Sequence, residues 1–337
     1  MASVDVVIPS YQYGHFLRRS VTSVLDQNID DLRVLIIDNA STDNTSEIAE
    51  QLRANDDRVE IVRHRKNLGP HASYNEGVDW AKSDYFLLVD ADDFLVDGAL
   101  NRAISFMEKH PNVVLTYGRA PCIAPNGKMY PGNQVDQRID WEIISSESFL
   151  AQFCARPIHM VPSPTVVRRT SAQKHAGYYR SELPYTDDME LWLRLALLGA
   201  VARTGRAQAV QRFHSSQLTA FYTSKMVRDF VERKAAVESF FSHEGKTLHN
   251  AASLLANARR ALAADAFRSS AKHLVMGKLS ASLSLIQFAL AKQPKAKFMK
   301  PNNTRPSLGK SEKSWQLSSI FQRVVSRSGY AKRKLAE

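Results

Sequence analysis

The first hundred residues repeat one rhythm, and that rhythm decides the fold class. Short apolar runs rich in Val, Ile and Leu stand at Val4–Ile8, Val34–Ile37, Val59–Val62 and Tyr85–Val89. Uninterrupted runs of this length with β-branched residues suit strands buried on both faces. Helical patterns lie between them, near Phe16–Leu25, Thr45–Arg53 and His71–Lys82. Ser41-Thr42-Asp43 offers N-cap chemistry for the second of these. Alternation at this spacing predicts an α/β fold, a mostly parallel, twisted sheet flanked by helices.

The rest of the chain reads differently. Asn126-Gly127 and Pro131-Gly132 mark turns of a hairpin or an excursion over the sheet. Leu191–Gly199 predicts a short amphipathic helix closed by its glycine. From Thr223 to Gln293 the pattern is a series of helices ended by Pro294, and Lys295–Lys313 predicts a flexible segment before an amphipathic stretch at Trp315–Val325. The expected organisation is an α/β unit over 1–220, a helical region over 221–293 and a basic tail over 294–337.

Charge follows the same division. The chain carries 45 Lys and Arg against 34 Asp and Glu, but from Ser215 onward the count is 22 against 7, so that part is +15 and the first part −4. Lys292–Glu337 alone holds 12 basic and 2 acidic residues. Such a tail suits adsorption to anionic lipid at ~1 kcal/mol per basic residue, or it is a solvated extension. No nucleic-acid motif accompanies the charge, so nucleic acid is not an expected partner. Two cysteines, Cys122 and Cys154, exclude a disulfide framework and a four-cysteine metal site. Every apolar run is too short for a bilayer, and Met1–Pro9 lacks the basic start and long apolar stretch of a cleavable signal. The expected location is the cytoplasm, with the tail offering peripheral attachment at the inner face of the cell membrane.

Ligands of open parallel sheets bind beyond the carboxyl ends of the strands. There the sequence places Pro9-Ser10-Tyr11-Gln12 after the first strand, Asp38-Asn39-Ala40-Ser41-Thr42-Asp43 after the second, and Asp90-Ala91-Asp92-Asp93 after the fourth. Three carboxylates within four residues raise one another's pKa unless a cation or hydrogen-bond donors compensate. Continued strand alternation puts Asp90 and Asp92 on one side, and hard oxygen ligands at that spacing suit Mg²⁺ or Mn²⁺. The competing reading is a solvated acidic turn with Asp93 capping a helix. Neither a Gly-x-Gly-x-x-Gly nor a Lys-Ser/Thr phosphate loop occurs, so a diphosphate here needs metal and side chains to neutralise it.

Taken in order, VDVVIPSYQYGHFLRRSVTSVLDQ, VLIIDNASTDNT and NLGPHASYNEGVDWAKSDYFLLVDADD resemble glycosyltransferase family 2 over about Val4 to Thr219. The resemblance implies the GT-A fold and an inverting transfer of a sugar from a nucleotide-diphosphate-sugar donor to a hydroxyl of a glycan, lipid-linked or cell-surface polysaccharide acceptor. By the same match, Pro9, Ser10 and Tyr11 line the nucleotide, Asp38 contacts it, and Asn67, Gly69 and Asn75 belong to the donor site. Asp90 and Asp92 match the family's Asp-x-Asp motif, with Asp93 beside them, and hold Mn²⁺ or Mg²⁺. Where the family often shows a second Asp this chain has Asn39, and where it often shows Arg it has Tyr74.

Asp187-Asp188, before Leu-Trp-Leu-Arg, matches an acidic pair that makes Asp188 the candidate catalytic base. Arg212-Phe213-His214 matches an Arg-x-His motif, which makes His214 a candidate for the metal shell or the diphosphate. For each there is a structural alternative: Asp38 caps a turn, Asn75 bonds backbone, Gly69 serves a turn, and Asp187 and Asp188 favour a helix dipole. Trp192 reads as core. Two other functions fit part of the pattern, a non-catalytic nucleotide-sugar or glycan-binding module and a nucleotidyltransferase. The latter calls for a Gly-rich, Lys/Arg-bearing loop, which Ser10–His15 does not supply.

Overall fold

Each of the four apolar runs becomes a strand: β1 (Val4–Ser10), β2 (Leu32–Asp38), β3 (Val59–Arg63) and β4 (Tyr85–Leu88). The expected helices connect them: α1 (Gly14–Leu25), α2 (Thr45–Asn55) and α3 (Pro70–Trp80). The structure, a computed structural model, describes residues 2–132, 135–214, 217 and 226–291. The tail from 294 and the stretch Trp315–Val325 lie outside the described residues.

After β4 the chain forms β5 (Phe94–Leu95), α4 (Ala99–Lys109), β6 (Val113–Arg119), and the hairpin of β7 (Cys122–Ile123) and β8 (Met129–Tyr130). The hairpin turns at Asn126-Gly127, where the Gly127 N–H donates to Ala124 O at 2.9 Å. Then come β9 (Glu142–Ile144), α5 (Ser146–Ala155), β10 (Val167–Arg169), α6 (Thr170–Ala176), α7 (Asp187–Ala196), β11 (Ala200–Ala207) and β12 (Ala209–Arg212). The described chain ends with α8 (Met226–Ser242), α9 (Ala251–Val275) and α10 (Leu279–Leu290).

The main sheet has the order β3-β2-β1-β4-β10-β6-β11-β9. β1 is parallel to β2 and β4, β2 to β3, and β6 to β11. The short β10 enters antiparallel between β4 and β6, and β9 lies antiparallel on β11. The second sheet, β5-β12-β7-β8, begins directly after the Asp90–Asp93 segment, so it builds one wall beside it.

Side chains alternate across the main sheet. Val4, Val6, Ile8, Val34 and Ile36 join the core under α1, α2 and α4, while Val7, Leu35, Ile37, Phe86 and Leu88 join the opposite one. Each such fully buried aliphatic contributes about 1.5–3 kcal/mol. The second core extends through Trp192 into the C-terminal helices: Phe230, Val237, Phe240, Leu254, Leu262 and Leu285 belong to it. Helices α8 to α10 therefore continue the hydrophobic core of the main sheet.

One boundary differs from the sequence reading. The helix expected over Leu191–Gly199 begins at Asp187 and ends at Ala196. The acidic first turn is what starts it early, since Asp187, Asp188 and Glu190 complement the positive end of its dipole. Gly199 is not a helix cap. It lets the start of β11 pass close to Asn112, whose carbonyl would lie 2.6 Å from an added Cβ.

Candidate active site

The ends of β1 and β2 are stitched into one rim. The Asn39 N–H donates to Ser10 O at 2.9 Å, continuing the ladder past both strands. Gln12 and Ala40 have φ of 61° and 63°, a left-handed conformation that costs about 1–2 kcal/mol per non-Gly residue. Neighbouring polar groups hold it: Gln12 N–H donates to Ser41 Oγ (3.0 Å), Gln12 Nε2 to Thr42 Oγ1 (2.8 Å), and Asp43 N–H to Gln12 Oε1 (3.1 Å). Asp43, rather than a formal N-cap, accepts from Thr45 at the start of α2 (3.1 Å). Tyr11 stands 43% exposed on this rim. Pro9 is buried, and the buried Ser10 Oγ has no hydrogen-bond partner among the described residues.

Asp38 is fully buried and already occupied. Its carboxylate accepts from Ser41 N–H (2.9 Å) and from the Ser46 hydroxyl, and lies 3.6 Å from Arg63 Nε. The structure thus gives Asp38 the turn-capping role. Asn39 does the reaching instead. Its Nδ2 donates to Asn67 Oδ1 (3.0 Å) and Gly69 O (3.1 Å), and its Oδ1 accepts from Leu68 N–H (2.9 Å). His64 links the same oxygen (2.8 Å) to Glu76 (2.6 Å). Asn67 and Gly69 are thereby fixed beside the end of β2. Gly69, at φ 83°, adopts a conformation that favours glycine and starts α3 ahead of Pro70.

The acidic segment turns where an extended strand was expected. β4 stops at Leu88, and the Asp93 N–H donates to Asp90 O at 2.9 Å, closing a turn. The turn gathers Asp93 with Asp90 and Asp92, so that a carboxylate oxygen from each lies within 4.8 Å of the others. Straight alternation would have separated Asp93 from the pair. Burial, the Asp92 charge, and then Asp187 and Asp188 push Asp90 up to about 8. Burial, followed by the charges of Asp92 and Asp90, raises Asp93 well above the usual carboxylate range.

The chain returns to this turn 120 residues later, through β12. Arg212 N–H donates to Asp93 Oδ1 at 3.0 Å, and its guanidinium donates to Asp92 O while lying 4.8 Å from both the Phe16 and Phe94 ring centres. His214 Nε2 sits 3.0 Å from Asp92 Oδ2, which also accepts from Gln217 Nε2 at 2.9 Å. The His214 ring packs against Tyr13 and Phe16. His214 therefore meets the acidic turn, while Gln217, Tyr13 and the stacking of Arg212 carried no sequence signal.

A second acidic group enters from α7. The Asp188 carboxylate accepts from the Ser163 hydroxyl and the Met189 N–H, and lies 3.7 Å from His159 Nδ1. Burial raises its pKa, with His159 opposing and Asp187 adding to the rise. Asp187 lies 3.3 Å from His71 Nε2. Burial would lower the His71 pKa, but Asp187 outweighs it and the net shift is upward. Directly before this pair, the Thr186 hydroxyl donates to Glu232 O on α8 (3.1 Å), and Arg180 bridges Glu190 on α7 to Ser239 and Glu244.

Asn75 is a strut in this structure. Its amide donates to Tyr179 O (3.0 Å) and accepts from Tyr179 N–H (2.8 Å), pinning α3 to the segment before α7. The fully buried Arg168 donates to the Tyr179 hydroxyl (2.9 Å) and lies 4.3 Å from the Phe86 ring centre. The neighbouring Tyr74 places its hydroxyl 3.5 Å from Asp90 Oδ1. Asp38 and Asn75 thus support the site's walls, whereas Asp90, Asp92, Asp93, His214 and Asp188 converge on its interior.

This architecture has known relatives. A family described as Glycosyl transferase family 2 matches residues 5–176, just over half of the chain. An uncharacterised glycosyltransferase of Haemophilus influenzae is 24% identical over 221 residues, covering 65% of this chain and 68% of that protein. Among solved structures, Staphylococcus aureus TarS 1–349 in complex with UDP-GlcNAc aligns with TM-score 0.56 at 18% identity over 85% of this chain and 90% of its own. The mannosyltransferase PcManGT of Pyrobaculum calidifontis, in complex with GDP-Man and Mn²⁺, aligns with TM-score 0.52 at 16% identity over 86% of each. These likenesses confirm the expected GT-A fold, and with the match over residues 5–176 they establish that the chain belongs to glycosyltransferase family 2.

Proposed function

We propose that this protein is an inverting, metal-dependent glycosyltransferase that moves a sugar from a nucleotide-diphosphate sugar to a hydroxyl of a glycan, lipid-linked or cell-surface polysaccharide acceptor. The observation that carries the reading is the Asp90–Asp92–Asp93 cluster, whose oxygens lie within 4.8 Å, set against Asp188 closely enough for its charge to raise Asp90. Buried carboxylates this close repel one another, and a divalent cation relieves that repulsion.

The donor set fits Mn²⁺ or Mg²⁺: hard oxygens of Asp90, Asp92 and Asp93 with one imidazole, His214, already at Asp92. Such an ion supplies Lewis-acid neutralisation of the charge on a departing diphosphate. The chain's own groups do the rest. The unpaired Ser10 hydroxyl and the exposed Tyr11 offer the nucleotide a partner and a flat surface. Asn39 keeps the Asn67–Gly69 loop in place beside them. Asp188, with both oxygens steadied by Ser163 and Met189, takes the proton from the acceptor hydroxyl. Its raised pKa makes it a stronger base than an ordinary aspartate.

The test is a screen of UDP-, GDP- and dTDP-sugars with Mn²⁺, read as metal-dependent thermal stabilisation and donor hydrolysis. One donor class should stabilise the protein and be hydrolysed, and chelation should remove both effects. Stabilisation without any hydrolysis or transfer would leave a binding module instead. Attachment to a membrane through the basic tail belongs to this proposal and concerns residues outside those described. Among the described residues no helix is long and apolar enough to cross a membrane.

A further inference from the structure

The large apolar side chains left in solvent are concentrated at the far end of the helical region. Leu274, Val275, Met276, Leu279, Leu283 and Leu290 are between 50% and 90% exposed, and all lie on α9, α10 or the turn that joins them. Leu279, Leu283 and Leu290 fall at helical spacing on one face of α10. The opposite face is already used: Ser282, Leu285 and Ala289 are buried, and the Ser270 and Ser282 hydroxyls meet at 3.0 Å between the two helices. The hairpin thus closes on Ser270, Ser282, Leu285 and Ala289 and leaves Leu279, Leu283 and Leu290 outside.

The turn is rigidly made. Gly277 has φ 72°, its N–H donates to Leu274 O (3.0 Å), and the Lys278 N–H donates to His273 O (2.9 Å). This double closure holds Val275 and Met276 at the apex. Lys272 and Lys278 flank them, both exposed, and from residue 266 to 291 the chain has no Asp or Glu.

We infer that the α9–α10 apex is a membrane-docking tip, which inserts its aliphatic side chains among the headgroups of an anionic lipid bilayer while Lys272 and Lys278 meet the phosphates. Charge selects this occupant. A second copy seated on the apex by two-fold symmetry brings the same lysines against one another. The chain from Lys292 onward, with 12 basic and 2 acidic residues, has the same sign and is repelled likewise. An anionic bilayer supplies both the opposite charge and the apolar phase. The inference is independent of the transferase reading.

Co-sedimentation of the full chain with vesicles of phosphatidylcholine, with and without phosphatidylglycerol, tests it. Wild type should bind the anionic vesicles, and added salt should weaken that binding. Val275→Ser with Leu279→Ser, both surface positions, should lower the partition coefficient by about tenfold or more. Lys272→Gln with Lys278→Gln should lower it less and flatten the salt dependence. Circular dichroism and light scattering on each variant establish that fold and mass are unchanged. Equal binding by wild type and the serine pair assigns adsorption to the tail and overturns the inference. A wild-type dimer that the serine pair dissociates makes a second copy the occupant and overturns it too.

Discussion

Two buried acidic sites lie at opposite ends of the same sheet, and they are held in opposite ways. At the base of β1, the fully buried Asp5 accepts five hydrogen bonds: Arg33 Nε (2.9 Å) and Nη2 (2.8 Å), Lys82 N–H (2.6 Å), Ser83 N–H (2.9 Å) and Ser83 Oγ (2.8 Å). Burial alone would raise its pKa; Arg33 and the Ser83 and Lys82 donors outweigh it and the net shift is downward. At the top of β4, the half-buried Asp90 and the buried Asp93 stand among other carboxylates and shift upward. Desolvation acts at both sites; five donors overcome it at Asp5, whereas like charges add to it at Asp90 and Asp93. The base of the sheet is built to be stable with what the chain provides. On the proposed function, a divalent cation completes the top.

The contrast breaks most readily at the base. Asp5→Asn removes the charge and one of the two acceptor oxygens, setting an NH2 against the Arg33, Lys82 and Ser83 donors, and should cost about 1–3 kcal/mol, measured by urea unfolding. A neutral result would show that the two ends are not different in kind. At the top, Asp92→Asn should lower transfer by about 10²–10³-fold, as for loss of one transition-state contact. Its melting temperature without metal should be unchanged or higher, the reverse of Asp5→Asn. Asp188→Asn should lower transfer without weakening Mn²⁺ binding, which separates base from metal shell.

Next in size, Mn²⁺ at one hundred times its dissociation constant should stabilise the wild type by about 2.7 kcal/mol. At one fixed Mn²⁺ concentration the gain should be larger at pH 8 than at pH 5, because protons compete for raised carboxylates, and Asp90→Asn should abolish it. The smallest effect is on the pH profile of stability. Asp5 has its pKa lowered by folding, so its contribution is present above the ordinary carboxylate pKa and is lost as pH falls through the folded value. Asp90 works the other way. With a folded pKa of about 8, it makes the metal-free protein less stable as pH climbs from the ordinary carboxylate range toward that value. Asp5→Asn should flatten the acid limb of a melting-temperature profile, and Asp90→Asn the alkaline decline.

The sequence carried the first half of the fold clearly, because strands buried on both faces must be contiguous apolar runs. β5, β7 and β8 are two residues each, too short to leave any periodicity. The acidic turn was legible because its members are adjacent in the chain, although its closure was not, since alternation predicts a strand through Asp92. Contacts between distant residues left no trace: Asn75 meets Tyr179 across 104 positions, and Gln217 meets Asp92 across 125. Asp38 is a different case. The resemblance set it at the nucleotide, with a turn-capping alternative, and its bonds to Ser41 and Ser46 match that alternative.

The hydroxyl of Thr186 rests on Glu232 of α8, one residue before the acidic pair of α7. Arg180 ties the two helices together again through Glu190, Ser239 and Glu244. The proposed base is thus mechanically coupled to the helices, and a force applied to them reaches its helix through a handful of polar bonds. On the proposed function, these bonds join the helical region to the helix that carries the proton acceptor.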